Sequence, residues 1–525
     1  MNSDSWISSR QNSLFVILIL NAFVYTIIIF LYPGFYTDDF ILFTIISKSP
    51  NNFFPLDPSY PFYLLLRPVS YFSFWLDYQL WGNSPYLIKL VSLFYHLALV
   101  YSLFRLIENM CNIFNIKLNY KICFISIFIF SFHLDVLYWN NWISDRTELL
   151  YLLFYTISIN FFLKYHLNKN KNNLWLFLLF YILSAGAKQT GIHLPFILIF
   201  FFFFPLNSQK LHFDSNTILA LTLAIVIFFV SFFINLHFAE SPIYFNILWK
   251  KPFAIIGLIF HTLIPIFSQN IYNYFILNKY FALILLSGGF LLAGIFAKKT
   301  ISKRTTQILL FIFIIGFPRM LTESSVRLNS IFLFWLTFFI YYYLSTFVKN
   351  KYKVLIISIL VIIITSSFYY RVNSDLNIRE SQARSILELQ DLIKKDSSYL
   401  IIISEFPELI KYQLHYIRFH NFGVDINVQE FPFSKSISFD YYEPNRFNLS
   451  KIEVRRDDDF IDIKSYDPLV FINIDRKNKY FKKLLDLKLT AHQSGRGYKE
   501  IMFRMPKFRE KYKLIYHDGK NWGFI

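Results

Sequence analysis

Two adjacent carboxylates, Asp38 and Asp39, stand in Tyr36-Thr37-Asp38-Asp39-Phe40, just past the first long apolar run. A carboxylate within hydrogen-bond reach of a hydroxyl can take its proton and turn it into a nucleophile. Further charged residues recur beside later apolar runs: Arg67, His133 with Asp135, Asp145 with Arg146, Lys188, and Arg319, Glu323 and Arg327. Each has a plainer reading alone. The acidic pair can end a helix in a solvated loop, His133 can cap a helix, and Arg67 or Lys188 can snorkel to headgroup level. Ionisable groups at a membrane are costly unless used. Gathered at one level, a carboxylate base and a set of guanidinium and ammonium groups make a definite chemistry. The base activates an acceptor hydroxyl, and the cations bind an anionic leaving group and stabilise charge as the bond to it breaks. Arg brings a bidentate fork to that task and Lys a point charge. This is what sugar transfer from a lipid phosphate requires.

The elements that must position these residues are membrane helices. The chain has 525 residues, 55% of them hydrophobic and 21% aromatic, with 65 Phe, more apolar side chain than a soluble globular core can hide. Apolar runs of about 18 residues or more are transmembrane signals, since roughly 20 residues at 1.5 Å rise cross the hydrocarbon. The formal net charge of +18 is carried largely by short loops between apolar runs, with no basic tail interleaved with aromatics. That pattern points to anionic membrane lipid and away from nucleic acid. Cys111 and Cys123 are the only cysteines and lack metal-ligand spacing, so neither a disulfide framework nor a Cys-based zinc site is expected.

The expected fold class is an α-helical polytopic membrane protein with 11–12 transmembrane helices and a C-terminal extramembrane α/β domain. Helix 13–32 is read as an uncleaved first span, because no small-residue cleavage site follows it. The first outer loop, 33–85, carries the acidic pair and the stretch 63–81, which holds Arg67, Pro68 and Asp77 and reads as an amphipathic helix on the bilayer surface. Spans are predicted at 86–107, 120–139, to about 163, 174–187, 191–205, 217–237, 280–297, 307–318, 330–348 and 354–370. The loop Lys298–Arg304 is the strongest positive-inside signal. Holding it in the cytoplasm makes 252–277, broken by Pro265, re-entrant or surface-bound, which gives the lower count. Residues 1–370 form the predicted transmembrane catalytic domain and 371–525 the soluble domain, on the same side as Asp38. In the latter, 381–395 and 408–420 have helical spacing, while 398–405 and 468–474 read as buried strands.

Several short motifs, in order, resemble the GT-C superfamily of polytopic glycosyltransferases, and within it the transmembrane O-mannosyltransferase type (family 39-like) without tetratricopeptide repeats. They are Asp38-Asp39-Phe40; Leu66-Arg67-Pro68-Val69 with Ser73-Phe74-Trp75-Leu76-Asp77-Tyr78 and Trp81-Gly82; Leu93-Phe94-Tyr95-His96; His133-Leu134-Asp135 with Ser144-Asp145-Arg146-Thr147-Glu148; Ala187-Lys188-Gln189-Thr190-Gly191; and Val326-Arg327-Leu328-Asn329-Ser330. The resemblance implies Asp38 as catalytic base and Asp39 as helper, positioning the acceptor or binding a divalent metal where one is used. It implies Lys188 and Arg146, then Arg67 and Arg327, as ligands of the donor phosphate, with His133, Asp135 and Glu323 in support. The implied partners are a polyprenyl-phosphate-linked sugar and a glycan, lipid or protein acceptor of the cell envelope. The implied reaction is inverting. The expected place is a bacterial inner (plasma) membrane with the catalytic face extracytoplasmic. Gln189 and Asp135 depart from the family's usual Glu at those positions.

Two other classes remain open at this stage. A transporter or flippase of lipid-linked sugars also needs a polar site, but usually carries an internal repeat of broken helices, and none is seen. A non-catalytic membrane scaffold would have no use for the acidic pair. Asp457-Asp458-Asp459 reads as a solvated turn, and His415 and His420 are poorly spaced to share a metal.

Overall fold

In the computed structural model, the helical part is described at residues 10–31, 67–82, 84–188, 193–203, 214–238, 330–346 and 352–370, with single positions at 39, 42, 46, 51, 191, 348, 372 and 373. Beyond these, the backbone of strands between 399 and 524 is described. The predicted segments 252–277, 280–297 and 307–318, the helices 381–395 and 408–420, and the site residues Asp38, Glu323 and Arg327 lie outside the described residues. The chain divides into two compact units, residues 1–35 with 48–373 and residues 36–47 with 374–525.

All regular secondary structure among the first unit's described residues is helical. Its elements are α1 (Arg10–Leu31), α2 (Pro68–Trp81), α3 (Pro85–Ile113), α4 (Tyr120–Ser131), α5 (Leu134–Asn141), α6 (Arg146–Asn168), α7 (Asn172–Ala187), α8 (Leu194–Phe203), α9 (Ser215–Phe238) and α10 (Ser330–Thr346), followed by α11 (Tyr352–Tyr370). α1, α3 and α11 are long and apolar enough to cross a membrane, and α4 with α5 makes a fourth candidate if the bent pair is one span. Proline opens both α2 and α3 at the first turn, where its missing N–H costs nothing.

α1 is apolar on its outside and turns polar side chains inward among buried isoleucines. Phe15, Ile19, Phe23, Ile27 and Phe30 are exposed, while Ser13, Asn21 and Tyr25 are buried. A water-soluble helix has the opposite arrangement. Outward-facing Val354, Leu355, Ile359 and Ile362 repeat the pattern on α11. Such faces are compatible with a surrounding bilayer, since contiguous exposed apolar surface of this extent is unfavourable in water.

The core of the unit is α3 packed between α1 and α6, with α7 against the far side of α6, α2 and α9 against α7, and α10 against α4. α3 carries its polar residues inward: Lys89, Ser92, His96, Ser102, Glu108 and Asn109 are all buried. His96 Nε2 lies 2.9 Å from Asn21 Oδ1, and the Tyr25 hydroxyl donates to the Ser131 carbonyl at 2.5 Å, so α1, α3 and α4 are joined by hydrogen bonds as well as by packing.

The stretch 120–139, expected as one helix, is broken. α4 ends at Ser131 and α5 starts at Leu134, with a bend of 60°. The local sequence supplies the reason. His133 takes an extended backbone as N-cap of α5, its Nδ1 accepts the Asp135 N–H at 3.2 Å, and Asp135 places an acid in the first turn of α5. Side-chain capping and an acid at the positive helix end both favour starting a new helix there.

In the second unit, Asp39, Leu42 and Ile46 are buried and helical, at a spacing that shares one helix face. Strand Tyr399–Ile403 pairs in parallel with Ile437–Tyr441 and Tyr512–His517, and Leu469–Asn473 and Trp522–Phe524 close the two edges of that sheet antiparallel. A second, antiparallel sheet runs Ile452–Arg456, Phe460–Ser465, Gly497–Pro506, Thr490–Ser494.

Candidate functional site

The site is a set of buried ion pairs where one end of α6 meets α2, α3, α7 and α10. Arg146 is the first residue of α6 and is fully buried. Its Nε donates to Ser92 Oγ (2.8 Å), its Nη1 to Ser73 Oγ (3.3 Å) and to the Asp77 carboxylate, and its Nη2 to the Ile88 carbonyl (2.5 Å). The guanidinium also lies over the rings of Phe74 and Tyr95, 5.4 Å and 5.7 Å from their centroids. Nearly all of its five donors are thus committed inside the protein. Burial pushes the Asp77 carboxyl pKa up, and the Arg146 charge beside it pulls it back.

A second pair lies one helical step away. The Lys188 ammonium is bonded to Glu148 Oε1, and both side chains are buried. Glu148 Oε2 accepts the Ser330 hydroxyl at 2.6 Å, and Ser330 Oγ lies 2.6 Å from the Tyr151 hydroxyl. Lys188 Nζ stands 5.8 Å from the centroid of the Tyr151 ring. Tyr151 also accepts the Ser184 hydroxyl on its carbonyl at 3.0 Å.

These contacts close a loop through the fold. Ser70 and Ser73 sit one turn apart on α2. Ser73 accepts from Arg146, and Ser70 Oγ donates to the Ala187 carbonyl at 2.9 Å, immediately before Lys188. Lys188 then returns to α6 through Glu148, two residues from Arg146. Two glycines permit the approach. A Cβ on Gly186 would come 2.9 Å from Val69 Cγ2 of α2. One on Gly191 would come 2.6 Å from Ser184 Oγ and 2.9 Å from the Ser184 carbonyl, so the turn after Lys188 folds back on α7 only without a side chain there.

No family model and no curated protein matches this chain.

Among the predicted site residues, Arg146 and Lys188 are brought into this one network. His133 and Asp135 are buried at the bend before α5, with Nδ1 and Oδ2 3.5 Å apart, and α5 packs on α3 and α6. Arg67 is half-buried at the N-cap of α2, its carbonyl accepting the Tyr71 N–H at 2.9 Å. Asp39 belongs to the second unit. No group of three or more His, Cys, Asp or Glu side chains among the described residues is placed to hold a metal. Several members of the network carried no assigned role in the sequence, Asp77, Glu148, Tyr151 and Ser330 among them. A signal for the first existed. Ser70, Ser73 and Asp77 fall at i, i+3, i+7 on a largely apolar helix, and a polar stripe of that kind turns inward when the opposite face is lipid-exposed.

Proposed function

We propose that the chain is an integral-membrane glycosyltransferase that moves a monosaccharide from a polyprenyl phosphate to a hydroxyl of a cell-envelope glycan, lipid or protein. In this reading it is a GT-C-like enzyme of the bacterial inner membrane, working on the extracytoplasmic side, with residues 371–525 as an α/β domain that meets the acceptor. The observation that favours it is the buried network itself. Asp77, Arg146, Glu148, Lys188 and Ser330 come from four separated stretches that the family resemblance picks out, and they share one polar network in a helical unit with apolar outer faces. Buried ionic networks of this kind are expensive in an apolar fold and mark function by default.

The step balances simply. The acceptor oxygen attacks the anomeric carbon, its proton passes to the Asp38 carboxylate, and the bond from that carbon to the phosphate oxygen breaks. Polyprenyl phosphate leaves with the electron pair, and the anomeric configuration inverts. Lys188 supplies the cation for the leaving phosphate, with Arg67 and Arg327 as further cations. Arg146, committed to Asp77 and three neutral acceptors, serves best as a positioning residue that fixes α2 and α3 around the site. Asp39 positions the acceptor.

The test is transfer in membranes from labelled polyprenyl-phosphate sugars, wild type against Asp38→Asn. The variant is expected to lose about 100-fold or more, the usual contribution of a general base. Undiminished transfer by a well-expressed Asp38→Asn sinks the base assignment. Movement of intact lipid-linked sugar across vesicles without cleavage makes the chain a flippase instead.

A further inference from the structure

The two ion pairs of the network are built differently, and the difference assigns a role to Glu148. Resting on the reading above, we propose that Glu148 is an internal stand-in for the donor phosphate, holding Lys188 while the site is empty and releasing it when a lipid phosphate arrives. A buried ammonium without a counter-ion is strongly unfavourable, so a phosphate-binding lysine in an apolar fold needs a resident anion between turnovers. The Glu148 carboxylate is that anion.

The pair is arranged to open. When Lys188 leaves Oε1, Glu148 keeps the Ser330 hydroxyl on Oε2 at 2.6 Å, itself backed by the Tyr151 hydroxyl at 2.6 Å. Lys188 keeps the face of the Tyr151 ring, 5.8 Å from its nitrogen. Each partner therefore retains a contact after separation. Arg146 and Asp77 lack that freedom, because the guanidinium is also anchored to Ser73, Ser92 and the Ile88 carbonyl and would have to leave them together. Lys188 also sits at the end of α7 on a turn closed by the Gly191 N–H to the Lys188 carbonyl at 2.9 Å, so a small change in that turn can redirect the side chain. A closed pair lowers the apparent affinity for phosphate by the fraction of protein in which the pair is open. The carboxylate thus excludes weak anions and admits a phosphate that brings the binding energy of its lipid chain.

The experiment measures binding of a fluorescent polyprenyl monophosphate to the purified full chain in detergent, with the corresponding polyprenol and inorganic phosphate as competing probes. Glu148→Gln, which keeps the shape and removes the competing charge, is expected to bind the polyprenyl monophosphate several-fold more tightly than wild type and to leave polyprenol binding unchanged. Lys188→Met is expected to lose the preference for the phosphate over the polyprenol. Ser330→Ala, which removes the contact that Glu148 keeps once the pair opens, is expected to weaken phosphate binding by a smaller factor and in the opposite direction to Glu148→Gln, and it decides the matter if Glu148→Gln does not fold. Unchanged or weaker phosphate binding in a folded Glu148→Gln overturns the proposal, as does an equal gain for polyprenol. The glycosyltransferase reading fails separately. A wild type that binds the phosphate with these variant effects yet cleaves no sugar keeps the stand-in and loses the enzyme. A wild type that transfers sugar while Glu148→Gln binds no tighter keeps the enzyme and loses the stand-in.

Discussion

The two ends of α3 and α6 carry charge in opposite ways. At the Arg146 end, Arg146 and Asp77 are 0% and 4% exposed, and Lys188 and Glu148 are 4% and 0% exposed. At the other end, roughly 30 Å along α3 at 1.5 Å per residue, Glu108 is held by Arg10 at 2.7 Å and by Arg105, whose side chains are 50% and 27% exposed. Neutral bonds complete that end: Asn109 Nδ2 to Asn160 Oδ1 at 2.8 Å, and Asn160 Nδ2 to the Ser102 carbonyl at 2.9 Å. The half-exposed cations suit contact with water and lipid headgroups, and screening leaves such pairs little net energy. The buried pairs have no such outlet. They are retained at a cost, and a fixed array of charge in a dry setting is what electrostatic catalysis uses.

Removing one partner at the buried end is the strongest way to break this contrast. Arg146→Met is expected to destabilise the protein by about 3–5 kcal/mol by leaving Asp77 buried and unpaired. The double variant Asp77→Leu/Arg146→Met is expected to recover most of that loss while activity stays lost. Unfolding in detergent followed by tryptophan fluorescence measures both. A double variant no more stable than the single would show that Arg146 is held by packing and its neutral bonds rather than by charge balance.

A smaller effect is expected from Gly191→Ala. The added methyl cannot fit beside Ser184 without moving the turn that carries Lys188, and overpacking of this kind costs about 1–3 kcal/mol. On the proposed function, sugar transfer should fall more than stability does, because the displaced element carries Lys188, the proposed phosphate ligand. Equal transfer by the variant would mean that the turn's geometry is irrelevant to the site.

The other end should respond weakly. Glu108→Gln is expected to cost about 1 kcal/mol, and less as salt is raised, whereas salt should leave the Arg146 variants unchanged. At the α6–α9 junction on the same end, Asp214 accepts from Tyr165 (2.7 Å), from the Thr217 N–H and hydroxyl (2.8 and 2.7 Å) and from Lys169 (3.0 Å). Partial burial acts to raise its pKa, but these bonds together hold the carboxyl below its ordinary range. A depressed folded pKa contributes stability that is complete above the unfolded value of about 3.9 and is lost as pH falls below it. Asp214→Asn should flatten that acid limb of the stability curve, with its loss of stability largest at neutral pH and vanishing in acid.

Much of the helical frame was legible in the sequence, because long hydrophobic runs mark apolar helices directly. The runs at 13–32, 86–107 and 354–370 correspond to α1, α3 and α11. The helix with Arg67, Pro68 and Asp77 is present as α2, at a length of 14 residues. The break at His133 was hidden, since no proline or glycine marks it and only a side-chain cap makes it. Arg146 and Lys188 stood out as cations beside apolar runs. Their partners did not, because the pairing of Asp77 with Arg146 and of Glu148 with Lys188 depends on how α2, α6 and α7 pack. That is tertiary information which one-dimensional patterning lacks. In the C-terminal part, the short apolar runs at 398–405 and 468–474 coincide with strands Tyr399–Ile403 and Leu469–Asn473.

On the proposed function, a lipid phosphate is handled at the Arg146 end of the bundle. The most direct measurement is photo-crosslinking of the full chain in membranes with a polyprenyl phosphate whose reactive group sits beside the phosphate, followed by mapping of the labelled peptides. Label within 134–151 and 184–191, diminished in Lys188→Met, is the predicted result. Label confined to the segments around Arg10, Arg105 and Glu108, or the same pattern with a polyprenol probe, would contradict it.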